Sequence, residues 1–305
     1  MPVEQIRGVI VPLLTPFNDD LSIATDLYVS HAKWLFEQGC AGIAPFGTTG
    51  EALSVGIDER IEAIRALLDA GIDPSLMIPG TGLSNVTDTA RLSRTCLDLG
   101  CAAVMTLPPF YYKAITEDGL YRYFVQLIGA IGPDARIFLY HIPPIAIVGI
   151  PPALAARLHA EFPANFVGIK DSSGDWENTR KLFEIEGLIV YPGSEVPVLD
   201  ALRHGGPGCI SATANLNTRA IAKLLALQDS GETAAAEALH KGVKRFRQIV
   251  EDYGPIPAQK RLLALSSGDS RWANVRPPLT ALPEKMGKEL ASMLEREFGT
   301  GGLPR

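Results

Sequence analysis

The chemistry legible in this chain starts at Lys170, which closes the apolar run Phe166-Val-Gly-Ile and is followed by Asp171, Ser172, Ser173 and Gly174. Four mostly apolar residues bounded by polar turn residues read as a short buried strand. A lysine ending such a strand is partly desolvated, and desolvation favours the neutral amine. Neutral amines attack carbonyls to form Schiff bases. A second apolar run, 136–140, ends in Tyr140 and is followed by His141. A phenol beside a Schiff-base lysine can shuttle protons during carbinolamine dehydration and C–C bond cleavage. His141 is the rival for that role, but strand alternation points it away from Tyr140, toward the helix layer. Phe46-Gly-Thr-Thr-Gly-Glu51 sets two hydroxyls, Thr48 and Thr49, between Gly47 and Gly50. Side-chain and backbone donors so close together suit a carboxylate or a small oxyanion. The aromatic run Pro108-Pro-Phe-Tyr-Tyr112 adds two further phenols.

These segments need a scaffold that gathers several strand ends in one place. Short apolar runs at 9–14, 41–45, 76–79, 102–107, 136–140, 166–170, 188–191 and 208–211 read as strands. Between and after them lie amphipathic stretches at 26–38, 58–70, 85–99, 116–131, 152–161, 176–184, 196–203 and 218–229, which read as helices. Eight strand–helix units within residues 1–230 have the count and size of a (β/α)8 TIM barrel. In that architecture chemistry sits at the C-terminal ends of the strands, where Thr48, Tyr111, Tyr140 and Lys170 all fall. Residues 231–305 contain no convincing strand. Helices expected at 233–251, 256–266 and 283–297 form a C-terminal helical extension packed outside the barrel, with a frayed tail over 299–305.

Composition narrows the function classes. The chain has 305 residues, of which 47% are hydrophobic, enough to bury a large core. Its net charge is −6 and it has no basic block, which argues against nucleic acid or an anionic membrane as partner. There is no run of about eighteen apolar residues and no secretory leader, so a cytoplasmic protein is expected. Four scattered cysteines have neither CxxC nor zinc-like spacing and read as reduced, buried thiols. No HExxH or paired-carboxylate spacing occurs and the five histidines are dispersed, so no metal is expected. Gly80-Thr-Gly-Leu-Ser-Asn85 lacks the third glycine of a dinucleotide loop, and there is no GxxxxGK[ST].

Gly47-Thr-Thr-Gly-Glu51, Gly80-Thr-Gly82, Pro109-Phe-Tyr-Tyr112, Tyr140-His-Ile-Pro143, Gly168-Ile-Lys-Asp-Ser-Ser-Gly174 and Ile210-Ser-Ala-Thr-Ala-Asn215 together resemble the dihydrodipicolinate synthase / N-acetylneuraminate lyase family of class I pyruvate aldolases. The resemblance implies a (β/α)8 barrel with a C-terminal helical extension, assembled as a homotetramer. It implies a Schiff base between Lys170 and a 2-oxo acid, typically pyruvate, with an aldehyde as second substrate and no cofactor. By motif position Tyr140 is the proton shuttle, and Thr48 and Thr49 hold the pyruvate carboxylate. Tyr111 completes the relay from a neighbouring subunit, and Ile210 offers a backbone carbonyl. Gly47, Ser172 and Glu195 are the remaining substrate-binding positions. Two departures bear on the second substrate. Ile145 stands where the synthases carry an arginine that grips the carboxylate of aspartate semialdehyde. Pro192-Gly-Ser-Glu195 lacks the acidic residue that precedes Glu195 in the lyases. The resemblance therefore implies intact Schiff-base chemistry with an altered second-substrate pocket. Three alternatives stay open: the authentic synthase, a 2-oxo-sugar-acid dehydratase, and a catalytically silent 2-oxo-acid binder.

Overall fold

Strands buried on both faces read as continuous apolar runs, and seven of the eight expected runs become parallel strands in the computed structural model, which describes residues 5–299. They are β1 (Gly8–Val11), β2 (Gly42–Ile43), β3 (Val104–Thr106), β4 (Ile137–His141), β5 (Phe166–Asp171), β6 (Ile189–Pro192) and β7 (Gly208–Ile210). They form two parallel sheets, in the orders β2-β1-β7 and β3-β4-β5-β6.

The eighth run, 76–79, departs from expectation. It makes two isolated bridges, Ile43 with Met77 and Gly80 with Met105, in place of a ladder. Ile78 N donates to Ile43 O at 3.0 Å and Met105 N to Pro79 O at 2.8 Å, so the segment still lies between β2 and β3. Pro79 has no N–H to give, and Pro74–Leu76 is wound into a 3-10 turn, which leaves too few regular donors for a strand. Gly80 is required there, because a Cβ would strike the carbonyl of Phe46. At the other end of the series β6 and β7 come within 8 Å between Cα atoms, but no ladder joins them among the described residues.

Alternation along the strands sorts the core into two layers. Val9, Val11, Ile137, Leu139 and Ile169 pack outward, under the helices. Ile10, Met105, Phe138, Tyr140, Tyr191 and Ile210 meet in the space between the strands. Tyr140 is thus an inward residue and His141 an outward one, by the same rule. A third cluster joins the helices Thr233–Glu251, Pro255–Ser267 and Glu284–Phe298 through Phe246, Ile249, Leu262, Leu290 and Leu294, and reaches the strand layer at Leu14 and Leu216. Each such buried side chain contributes about 1.5–3 kcal/mol. The helix expected at 218–229 begins earlier, at Ala214, with non-helical angles at Asn217 inside it. The four cysteines are free and buried, and burial pushes the Cys40 and Cys101 thiols up to about 12.

Asn215 ties the loop after β7 to the end of β1. Its amide donates to Pro12 O and Ala212 O, both at 2.9 Å, and its Oδ1 accepts from Leu14 N at 3.1 Å. The same oxygen lies 3.1 Å from His31 Nε2, so that nitrogen carries a proton and donates it. Burial drops the His31 pKa to about 4. The unfolded chain, with a pKa near 6.5, therefore takes up the proton first. Stability that is complete above about pH 6.5 declines as the pH falls toward 4, by up to about 3 kcal/mol. Thermal melts of wild type and His31→Gln at pH 7 and pH 4.5 check this. The acid-induced drop in Tm is expected to be smaller in the variant, and equal drops would clear His31 of the effect.

Candidate active site

β4 and β5 pair in a register that sets Tyr140 beside Lys170. Both side chains point inward and each is only 3% exposed. Lys170 Nζ donates to Tyr140 OH at 3.2 Å and lies 4.3 Å from the centre of the same ring. Thr48 Oγ1 is 3.2 Å from Tyr140 OH on its other side. The result is a hydrogen-bonded line from hydroxyl to phenol to amine. The carboxylate next in sequence does not intrude. Asp171 Oδ2 accepts from Asn178 and Thr179, and Oδ1 from Ser173 N, so it serves the loop and leaves the amine to the phenol.

Thr48 reaches this line because the Gly47–Glu51 segment is a tight turn. Gly50 N donates to Gly47 O and Glu51 N to Thr48 O, each at 3.1 Å. Thr15 Oγ1 clamps Gly50 O at 2.7 Å, and a Cβ on Gly50 would approach Leu13 O to 2.7 Å. Phe46 and Glu51 flank the turn with φ of 56° and 54°. Left-handed conformations in such residues cost on the order of 1–3 kcal/mol and persist only where the surroundings impose them.

Two cavities meet at this line. One of about 520 Å3 is lined by Lys170, Thr49, Ser172, Trp176 and Arg247. A second, of about 330 Å3, is lined by Gly47, Met105 and Leu107. Thr48, Tyr140, Ile142 and Ile145 border both. These volumes suit a small-molecule site. Ile145 is 61% exposed at the rim and carries no charge. It belongs to a short helix, Pro143–Ala146, started by two prolines at its first positions, which the sequence reading did not anticipate.

The remaining expected residues are placed unevenly. Ile210 ends β7 in the inner layer with Tyr140. Tyr111 is 76% exposed, edge-on to Tyr112, and is not brought to the site within its own chain. His141 faces outward, its Nδ1 accepting from Ile150 N at 2.7 Å, and burial lowers its pKa. Glu195 needs correction as a substrate contact. It is fully buried, and its carboxylate accepts from Ser211, Thr213 and Arg247 in place of facing the cavity. No group of three or more His, Cys, Asp or Glu is placed to hold a metal ion among the described residues.

Sequence reading missed Arg247. Its Nη1 donates to Glu195 Oε2 at 3.0 Å and to Ser211 Oγ at 3.3 Å, while Nη2 lies 2.6 Å from Glu251 Oε1. The Arg247 side chain is 16% exposed and lines the larger cavity. One signal was available: Arg247 follows Val243 by one helical turn, on the stripe that also carries Phe246 and Val250.

Comparison with known proteins adds a family. The model of the dihydrodipicolinate synthetase family matches residues 5–297. An uncharacterised DapA-like lyase of Chloroflexus aurantiacus is 35% identical over 293 residues, covering 95% of this chain and 96% of that one. A 4-hydroxy-tetrahydrodipicolinate synthase of Thermus thermophilus is 33% identical, with the same coverage of both chains. Among solved structures, YagE, a prophage protein of E. coli K12 described as belonging to the dihydrodipicolinic acid synthase family and solved in complex with pyruvate, superposes with a TM-score of 0.87 at 25% identity, over 96% of this chain and 99% of its own.

Proposed function

Because the chain belongs to the dihydrodipicolinate synthetase family, we propose that Lys170 condenses with a 2-oxo acid, pyruvate in the first instance, and uses the Schiff base to make or break a C–C bond with an aldehyde. The observation that carries this reading is the line Thr48–Tyr140–Lys170, with an amine bonded to a phenol at the mouth of a cavity of small-molecule size. YagE, with its bound pyruvate, supports the choice of 2-oxo acid.

The residues then take these roles. The free amine of Lys170 attacks the carbonyl carbon, and Tyr140 delivers a proton to the carbinolamine oxygen so that water leaves. The Tyr140 phenolate then takes a proton from the adjacent carbon, and the iminium takes up the electrons of that C–H bond. The resulting enamine adds to the aldehyde carbon, whose oxygen receives the proton back from Tyr140, and cleavage runs the same steps backward. Thr48 relays the proton that Tyr140 gives and regains. The donors of the turn, with Thr49 and Gly47, take the carboxylate of the 2-oxo acid, and the Ile210 carbonyl borders its far end. Ser172 lines the same pocket. No cofactor is needed, since the protonated imine is itself the electron sink. Tyr111 completes the relay from a second copy in a homotetramer, which gives its exposure a purpose. The strand series closes between β6 and β7 as a (β/α)8 barrel with a C-terminal helical extension, at work in the cytoplasm.

The aldehyde differs from aspartate semialdehyde. Ile145 offers no partner to a carboxylate, and Arg247, which lines the same cavity, is already engaged by Glu195 and Glu251. A carboxylate taken from water without a charged partner costs on the order of 1–3 kcal/mol or more.

Intact-protein mass after borohydride reduction tests the reading. Pyruvate is expected to leave a stable adduct that maps to Lys170. An adduct only with longer 2-oxo acids would move the assignment to a dehydratase, and no adduct with any of them would leave a silent binder.

A further inference from the structure

One buried group has no part in the chemistry above. Lys260, on the helix Pro255–Ser267, forms an ion pair with Glu51 at 2.6 Å, and both side chains are wholly screened from solvent. Its Nζ also sits 4.4 Å from the centre of the Phe17 ring. The other oxygen of Glu51 accepts from Arg276 N at 2.9 Å. Both oxygens of this carboxylate are therefore held by the C-terminal part of the chain, more than two hundred residues away in sequence.

Taking two charges out of water is a poor way to stabilise a fold, because apolar side chains of equal volume do as well or better. What an ion pair supplies is direction. Glu51 is the last residue of the turn that presents Thr48, and its backbone is held at a left-handed φ of 54°. Its N–H is bonded to Thr48 O. Fixing the carboxylate at both oxygens fixes the end of the turn. That in turn fixes the hydroxyl whose partner is Tyr140.

We propose that Lys260 is a positioning residue for the reaction: through Glu51 it sets the Gly47–Glu51 turn and so holds Thr48 on the Tyr140 phenol. The inference rests on the Schiff-base reading above. It assigns the C-terminal helices a share in turnover, exerted without any contact to substrate. Losing Lys260 should slow proton movement while leaving the amine of Lys170 able to capture pyruvate.

Exchange of the pyruvate methyl protons for deuterium in D2O, followed by NMR, reads proton movement without any knowledge of the aldehyde. Lys260→Met is expected to exchange at least tenfold more slowly than wild type. The fraction of Lys170 trapped by borohydride at saturating pyruvate should stay unchanged. Should Lys260→Met be unstable, Lys260→Met/Glu51→Gln removes the orphaned buried carboxylate; its Tm is expected to recover while exchange stays slow. Recovery of both would make the pair a structural device only and overturn the proposal. Exchange in Lys260→Met within threefold of wild type would do the same. A wild-type protein that traps no pyruvate overturns the function itself, and the two failures are thereby told apart.

Discussion

Lys170→Ala is expected to abolish turnover and borohydride trapping together, with a Tm within a few degrees of wild type. Among the described residues that line the two cavities Lys170 is the only lysine, so its loss removes the covalent route entirely. The fold has little reason to object. Lys170 lines an existing cavity, so truncating it enlarges that space and opens no void in packed core. Tyr140 keeps its bond to Thr48. Asp171 keeps its own partners, so no buried carboxylate is orphaned. Retained turnover, or an adduct on another lysine, would end the Schiff-base assignment.

Tyr140→Phe should lower kcat by roughly two to three orders of magnitude, the scale on which a positioned proton-transfer group acts. The ring remains in the inner layer with Phe138 and Tyr191, so the packing survives. Two hydrogen bonds disappear, those to Lys170 and to Thr48, at about 1 kcal/mol each. The variant should still trap pyruvate, only more slowly, because the nucleophile is untouched. Stopped-flow imine formation beside steady-state kcat separates the two effects. A fall in kcat smaller than about threefold would remove Tyr140 from the relay.

The parts of the site that were legible are those the chain writes locally. Tyr140 and Lys170 are the penultimate residues of consecutive strands, and period-two alternation already turns both inward and His141 outward. Thr48 lies 92 residues from Tyr140, yet its glycine-flanked turn after a strand announced it. What stayed hidden depends on partners that no local pattern names. Glu195 looked free to meet substrate until Arg247, 52 residues further on, was seen to occupy it. Lys260 reads as one more helix lysine until its stripe is known to face Glu51. The third strand was illegible for a different reason: its apolar run is genuine, but a proline and a 3-10 turn strip it of the donors a ladder needs. Helix starts were blurred by prolines and by Asn217, where angles inside one helix leave the helical range.

The unladdered seam between β6 and β7 has a consequence for where the chain can be shortened. Each of those strands is the outer member of its sheet, so what joins them is side chains and not a backbone ladder. Here the rim of the gap is filled by charge. Glu195 inserts from the β6 side, Ser211 and Thr213 meet it from the β7 side, and the helix Thr233–Glu251 lays Arg247 and His240 across them. The helix Thr233–Glu251 thus pins together two strands that no ladder joins among the described residues. A chain cut after the last strand–helix unit would lose Arg247 and His240, and with them the side chains that bridge this seam, even with Lys170, Tyr140 and Thr48 still in place.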